Sequence, residues 1–339
     1  MKQTICTLLI AVAFFAVQAQ DTFSIVAVDP ETGEVGSAGA TCVPGIGQIG
    51  GVILLSGIIP GRGGVNAQAY ICLNPHINLV NGVARLGEGS SPQDVIDWLV
   101  ANDACNSQNF NPQYRQYGVA ALDENGQASA AAFTGQSADD WKGHRTGATY
   151  AIQGNILKGP EVVDNMEAAF NNTTGTLAER LMAAMQGANM VGADARCTDA
   201  GTSSTSAFLR VFKPGDDPDD PWLELNVAET LPGVEPIDSL QALFDEWLLT
   251  ESRGSLQPEQ PAFRAYPNPA REQLQIEVLA VADAFRLKWV ATGGQVVQEV
   301  PVLPGRQQVE MPEQSGLYWL CLSDDTGRSY RPQRITVVR

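Results

Sequence analysis

Short runs of β-branched and small apolar residues open the chain's folded portion. Thr22–Val28 (TFSIVAV) and Glu34–Cys42 (EVGSAGATC) flank DPETG, whose Asp-Pro and Gly make a hairpin turn. Gly50–Ile59 and Gly64–Cys72 read as further Gly-punctuated strands. A helix is predicted from Ser91, with Ser91 as N-cap, Pro92 at the first helical position and Asp94 near the positive end of the dipole. It carries Val95, Ile96, Trp98 and Leu99 on an apolar face. Tyr117–Leu122 and Gln127–Thr134 form a second hairpin across DENG, and Tyr150–Gln153 is a short strand. Pro160 opens a helix bearing Val162, Val163, Met166 and Phe170. Thr176 and Glu179 form a capping box that opens the next, through Leu181, Met182 and Met185. A strand over Ser206–Lys213 and a last helix from Pro236 follow.

This order of strands, helix, strands, two helices, strand and helix does not alternate as a doubly wound parallel sheet demands. It fits an α+β unit of two antiparallel sheets stacked face to face with helices outside. Residues 250–262 (TESRGSLQPEQPA) lack apolar periodicity and read as a linker. Beyond them come only short alternating strands, at Leu274–Val278, Phe285–Val290, Val296–Val300, Gln308–Met311, Leu317–Leu322 and Ile335–Val338, separated by turn residues. That pattern predicts a small all-β, Ig-like sandwich.

The first residues change the picture of where the protein works. Lys2, the apolar run LLIAVAFFAV and the small residues around Val17–Ala19 read as a secretory signal over 1–19, too short to span a membrane. The expected organisation is therefore signal 1–19, main domain 20–249, linker 250–262 and C-terminal domain 263–339. No later stretch is apolar for long enough to be a spanning helix. Charge is uneven: residues 20–261 carry about −19 and residues 262–339 about +1. So acidic a domain repels phosphate backbones, which argues against nucleic acid as a partner. Five cysteines follow the signal. Cys42, Cys72, Cys105 and Cys197 allow two disulfides in three pairings, and Cys321 is left over in the apolar run LYWLCL. With only His76 and His144 in the chain and no Cys/His metal spacing, neither metal nor other cofactor is implied.

Two resemblances add to this reading. Ala265-Tyr-Pro-Asn-Pro-Ala270, Gly316-Leu-Tyr-Trp319 and the close QRITVVR resemble, in order, the C-terminal sorting domain of the type IX secretion system. That resemblance implies secretory machinery as a partner, export across the outer membrane of a Bacteroidetes-type bacterium, and a protein released or held at the cell surface. The main domain resembles the domain-of-unknown-function family 1028 through TFSIVAVDPETGEVGSAGAT, GVNAQAYICLNP, AAAFTG and WKGHRTGATYAIQGNILKG, and more loosely through Gly192–Arg210. That family is grouped with N-terminal nucleophile (Ntn) hydrolases, which implies a four-layer α-β-β-α sandwich.

Ntn chemistry requires a Thr, Ser or Cys as first residue, because its own α-amine is the general base. Thr22 opens the first strand where such a nucleophile stands. The predicted cleavage leaves Gln20 and Asp21 ahead of it, so two residues must be trimmed before the amine is free. As a β-branched residue at a strand's start it needs no functional explanation. Asn66, Gln153 and Asn155 are the amides expected beside it to bind a substrate carbonyl or an oxyanion. As turn and strand residues they also serve to satisfy backbone groups. Gln68, Asn74, His144, Arg145 and Arg62 are the candidate substrate-binding residues. No lysine lies between Lys2 and Lys142, and Arg62 cannot exchange protons. Ser24 and Ser37 are alternative hydroxyls without a nearby base. Asp29 is accounted for by its turn, and Asp194 and Arg196, between helix and strand, either pair or are merely solvated. Two functions remain open: a secreted amidohydrolase of unknown amide or small-molecule substrate, and a secreted binding or structural protein that keeps the fold without activity. Homo-oligomerisation stays open as well.

Overall fold

The computed structural model describes residues 22–73, 75–254, 262–271, 273–280, 284–291, 295–324, 330 and 332–338. The expected signal over 1–19 therefore lies outside the described residues. The described residues form five α-helices and several antiparallel sheets. It begins with the hairpin of β1 (Thr22–Val28) and β2 (Val35–Thr41), paired from Thr22 opposite Thr41 to Val28 opposite Val35. The strand expected over 50–59 forms only as β3 (Ser56–Ile59). Gly50 and Gly51 both take positive φ, and Val52–Leu55 coils into a 3-10 turn instead. β4 (Gly63–Ala69) follows, then α1 (Ile77–Gly87) and α2 (Pro92–Ala101). α2 starts at Ser91 with the full capping box to Asp94. α1 is absent from the expectations above, because INLVNGVARLG holds two Gly and two Asn and its N-cap, His76, makes no side-chain cap bond.

The remaining elements of this unit are β5 (Arg115–Leu122), β6 (Ala128–Thr134), β7 (Gly143–Thr146), β8 (Tyr150–Gly154), α3 (Glu161–Asn172), α4 (Leu177–Gly187), β9 (Ser206–Phe212), β10 (Leu223–Val227) and α5 (Pro236–Gly254). α5 runs through the first five residues of the stretch 250–262 read as linker. Thr250 caps back onto the Trp247 carbonyl (2.7 Å), and the apolar face of Leu240, Phe244 and Trp247 carries the helix past the polar composition.

One sheet has the order β10-β9-β2-β1-β8-β7 and the other β3-β4-β5-β6, with every neighbour antiparallel. The two-residue period of a strand decides what each face meets. Phe23, Ile25 and Ala27 of β1 and Tyr150 and Ile152 of β8 pack on α3 and α4. Val65 and Ala67 of β4 and Tyr117, Val119 and Ala121 of β5 pack on α1 and α2. The alternate residues, Val26, Val28, Val35, Ala120, Leu122 and Ala151, meet one another between the sheets. Helices thus cover the outer faces, and the sheets face each other directly.

The C-terminal strands are β11 (Phe263–Tyr266), β12 (Leu274–Val278), β13 (Phe285–Ala291), β14 (Val296–Val302), β15 (Gly305–Val309), β16 (Gly316–Asp324) and β17 (Gln333–Val337). They form the antiparallel sheets β11-β12-β15 and β14-β13-β16-β17, which share a core around Trp289, Phe263, Phe285 and Leu320. Cys321, on β16, is half-buried and its thiol is pushed up to about 12 by desolvation, which keeps it unreactive.

Candidate functional site

The layer between the sheets is apolar at one end and polar at the other. Past Val26 and Ala120, the inward positions become Ser24 on β1, Ser37 on β2, Asn66 and Gln68 on β4, Gln116 on β5 and Gln153 on β8, all fully or almost fully buried. So many buried amides and hydroxyls must bond to one another or cost about 1–3 kcal/mol each. Ser24 Oγ donates to Gln68 Oε1 (2.6 Å) and accepts from Gln153 Nε2 (2.6 Å). Gln68 Nε2 donates to Gln116 Oε1 (2.7 Å) and to the Thr22 carbonyl (2.8 Å). Gln116 Nε2 reaches Thr134 Oγ1 (2.9 Å) and the carbonyls of Gly143 (3.1 Å) and Gly154 (2.9 Å). Thr134 Oγ1 in turn bonds His144 Nδ1 (2.9 Å) at the surface. Gln153 fits because β5 opposes it with Gly118: a Cβ there would stand 2.6 Å from the Gln153 amide carbon.

Thr22 begins β1 at this polar end and is buried (1% exposed). Its carbonyl is held twice, by Gln68 Nε2 and by the Asn155 backbone N–H (3.2 Å). By strand parity its side chain shares the inward face of Ser24. Thr41 is its cross-strand partner, and Arg196 Nη2 stands 3.5 Å from Thr41 Oγ1. Arg196 is fixed by Asp194 (2.6 Å), which is fully buried and also accepts the Cys42 N–H (2.8 Å). The Cys42–Cys197 disulfide ties the next residue of each segment together, and the second bridge is Cys72–Cys105. Two of the three open cysteine pairings are thereby discarded.

Of the residues singled out in the sequence, Thr22, Gln68, Gln153 and Asn155 come together at this end. Asn66 is two positions from Gln68 but bonds elsewhere, accepting from Ser37 Oγ (2.9 Å). Asn74 lies outside the described residues. His144 is exposed at the rim. Desolvation first and the Arg145 charge second hold its imidazole below the ordinary range. Arg145 is engaged by Asp164 (2.6 Å) beside it. Arg62 is at the wrong end: it donates to the carbonyls of Leu122 and Ser90, one strand length or about 20 Å from Thr22. Ser24 and Ser37 are spent on the amide network, and Asp29 serves its turn by accepting from Glu31 N–H (2.9 Å).

Three contributors were missing from the sequence-derived set. Gln116 anchors the network, Gly118 makes room for Gln153, and Arg196 is the cation beside the Thr22–Thr41 pair. The Asp194/Arg196 spacing was the one signal available for the last. Among the described residues no His, Cys, Asp and Glu gather as a metal ion requires, and no helix is long and apolar enough to cross a membrane.

A family model described as a family of unknown function, DUF1028, matches residues 22–239. The crystal structure of protein SPO2555 from Silicibacter pomeroyi, matched to the same family model, is 28% identical. That match covers 67% of this chain and 88% of the other, with a TM-score of 0.48. A structure of PorZ, described as an essential bacterial surface component of the type-IX secretion system of Porphyromonas gingivalis, is 20% identical over 23% of this chain and 11% of that one, with a TM-score of 0.20. No curated protein matches. The family match runs from the first residue of β1 into α5 and so takes in both sheets and the polar seam between them: this chain belongs to the DUF1028 family.

Proposed function

We propose that this protein is an exported amidohydrolase of the Ntn type, with the α-β-β-α sandwich of that class and Thr22 as its nucleophile. The observation that carries the reading is the seating of Thr22. It is the first residue of β1, faces the layer between the sheets, and has its carbonyl clamped by Gln68 and the Asn155 N–H. Once the residues ahead are removed, its α-amine, with an ordinary pKa of roughly 7.7–8, is partly neutral at neutral pH. The amine takes the proton of Oγ as Oγ adds to the acyl carbon of an amide. The tetrahedral oxyanion is met by the Asn155 side-chain amide and the fixed charge of Arg196. On collapse the C–N bond breaks, the leaving nitrogen receives that proton, and water then cleaves the acyl ester on Thr22 by the same route. Gln68 and Gln153 position the strand, since their amide hydrogens already serve Thr22, Ser24 and Gln116. Arg196 cannot relay protons, so the amine acts without a lysine's help.

The C-terminal sheets, with the YPNP, GLYW and QRITVVR motifs, are assigned to sorting and anchoring by the type IX machinery, as a unit separate from the catalytic one. Two disulfides agree with an oxidising destination. The test is direct. The mature N-terminus is sequenced from protein recovered outside the cell, and acyl-amide turnover is compared for wild type, Thr22→Ser and Thr22→Ala. A start at Thr22, retained activity in the serine variant and none in the alanine variant are expected. A start at Gln20, or equal turnover in both variants, ends the nucleophile assignment. The second reading is a binding protein that keeps the fold without catalysis. It is favoured by the hydrogen bonds that join Ser24, Gln68, Gln116 and Gln153 to one another, as a structural seam would have, with Gln153 Oε1 alone left over.

A further inference from the structure

Beside the polar seam, toward β9, the layer between the sheets holds a group of hydrogen-bond donors with nothing to donate to. Arg210 on β9 is the cross-strand partner of Ser37, and Ser56 on β3 is that of Asn66. Ser37 Oγ donates to Asn66 Oδ1 (2.9 Å), which joins the two pairs across the gap between the sheets. The Arg210 guanidinium donates through Nη2 to the Ser56 carbonyl. Around that contact, Arg210 Nε, Asn66 Nδ2 and Ser56 Oγ are all buried and unpartnered. Asn66 is fully buried and Ser56 is 6% exposed. Apolar walls close both ends: Val52, Leu55 and Phe208 on one side, Val26, Val35 and Ile58 on the other.

Arg210 is partly buried, with its Nε sealed from solvent, and a guanidinium so placed is favoured by a counter-charge. Among the described residues Arg210 has no ion-pair partner. Glu224, its cross-strand partner on β10, is bonded instead to Arg334 (3.0 Å). Desolvation accordingly lowers the Arg210 pKa to about 10, against a weaker opposing pull from Glu224. Arg210 Nε and Asn66 Nδ2 can only donate, and the Ser56 hydroxyl can turn its proton the same way, so an anion would satisfy all three.

We propose that Arg210, Asn66 and Ser56 bind a small monovalent anion between the sheets: chloride, or the carboxylate of a ligand. The site is independent of Thr22 and of any catalytic step. It is tested on the full chain by following thermal unfolding while sodium gluconate, too bulky to enter, is replaced by sodium chloride at constant ionic strength. A saturating rise of about 5–10 °C is expected once chloride is ~100-fold above its Kd. Formate run in parallel identifies the source: a rise with formate as large as with chloride points to a carboxylate-bearing ligand, and a rise with chloride alone to a halide. In crystals soaked in bromide, an anomalous peak is expected between Arg210 Nε and Asn66 Nδ2. Asn66→Asp, which installs a carboxylate of the same shape, should abolish the chloride response. Equal melting in gluconate and chloride with no bromide peak, or an undiminished response in Asn66→Asp, overturns the proposal and leaves the donors satisfied within the protein.

Discussion

The fit of Gln153 against Gly118 gives the sharpest test of the seam. Gly118 has ordinary strand geometry, so its backbone does not demand glycine. What excludes a side chain is the Gln153 amide, whose carbon would lie 2.6 Å and whose nitrogen 2.9 Å from an added Cβ. In Gly118→Ala that amide must leave its place. Ser24 Oγ then loses the donor now at 2.6 Å, and the displaced amide has to find new partners in a fully buried layer. Two orphaned groups at about 1–3 kcal/mol each set the cost at about 2–6 kcal/mol. The gain from replacing glycine within a strand returns about 0.5–1 kcal/mol. The net loss is about 1–5 kcal/mol, read as a fall in urea midpoint at unchanged slope by helical circular dichroism. The same change made in Gln153→Ala should be neutral or slightly stabilising, since the obstructing amide is gone. Coupling between the sites of about 2–6 kcal/mol is therefore expected. A Gly118→Ala cost that is the same in both backgrounds to within about 0.5 kcal/mol would refute the close-packing argument.

Burial lowers the His76 pKa from its ordinary 6.5 to about 4, while its Nε2 bonds the Ala67 carbonyl (3.0 Å). The folded state therefore resists protonation that the unfolded chain accepts. This contribution is whole above pH 6.5 and is lost as pH falls toward 4, to a maximum of about 3 kcal/mol. Stability measured from pH 7 to 4.5 should fall less steeply in His76→Gln than in wild type; parallel curves would remove His76 as the cause. Asp103 and Arg115 form an ion pair (2.9 Å) with both side chains 1% exposed, and Asp103 also accepts from Asn78 (2.7 Å) and the Cys105 N–H (3.0 Å). Asp103→Asn leaves the guanidinium without its counter-charge and should cost about 3–5 kcal/mol in urea unfolding, against under about 1 kcal/mol if the carbonyls of Tyr70 and Cys105 suffice to hold Arg115.

Much of the fold was legible because local signals and tertiary packing agree. The capping boxes at Ser91 and Thr176 mark real helix starts, and the DPETG turn sets the register of β1 and β2. Where the two disagree, sequence reading loses. α1 has poor helix formers and no side-chain cap, and it is held by the burial of Leu79 and Leu86 on β4 and β5. β7 and β10 are short strands added to the edges of a sheet, and pairing defines them more than pattern does. The candidate site was half legible. Strand parity put Asn66 and Gln68 on one face, and β1 brought Thr22 beside them. Nothing in the sequence told which end of the sheets was polar. For that reason chain proximity points to Arg62, close to the early strands, while Arg196, distant in sequence, is the arginine beside Thr41.

That exchange of one arginine for another bears on what the polar end is for. A seam that served stability alone would need its amides and hydroxyls only to satisfy one another, which Ser24, Gln68, Gln116 and Gln153 do apart from Gln153 Oε1. It would have no use for a charge at its mouth, because burying one costs more than an apolar side chain in the same place. Yet Arg196, 27% exposed, is brought to the Thr22–Thr41 edge by a fully buried carboxylate, Asp194. The Cys42–Cys197 disulfide fixes the same approach, closing a separation of 155 residues directly after Thr41 and Arg196. A covalent tie, a buried counter-ion and an accessible guanidinium converge on Thr41, the cross-strand partner of the first residue of β1. Packing does not require that convergence, and the attack proposed for Thr22 would use it where the acyl group develops negative charge.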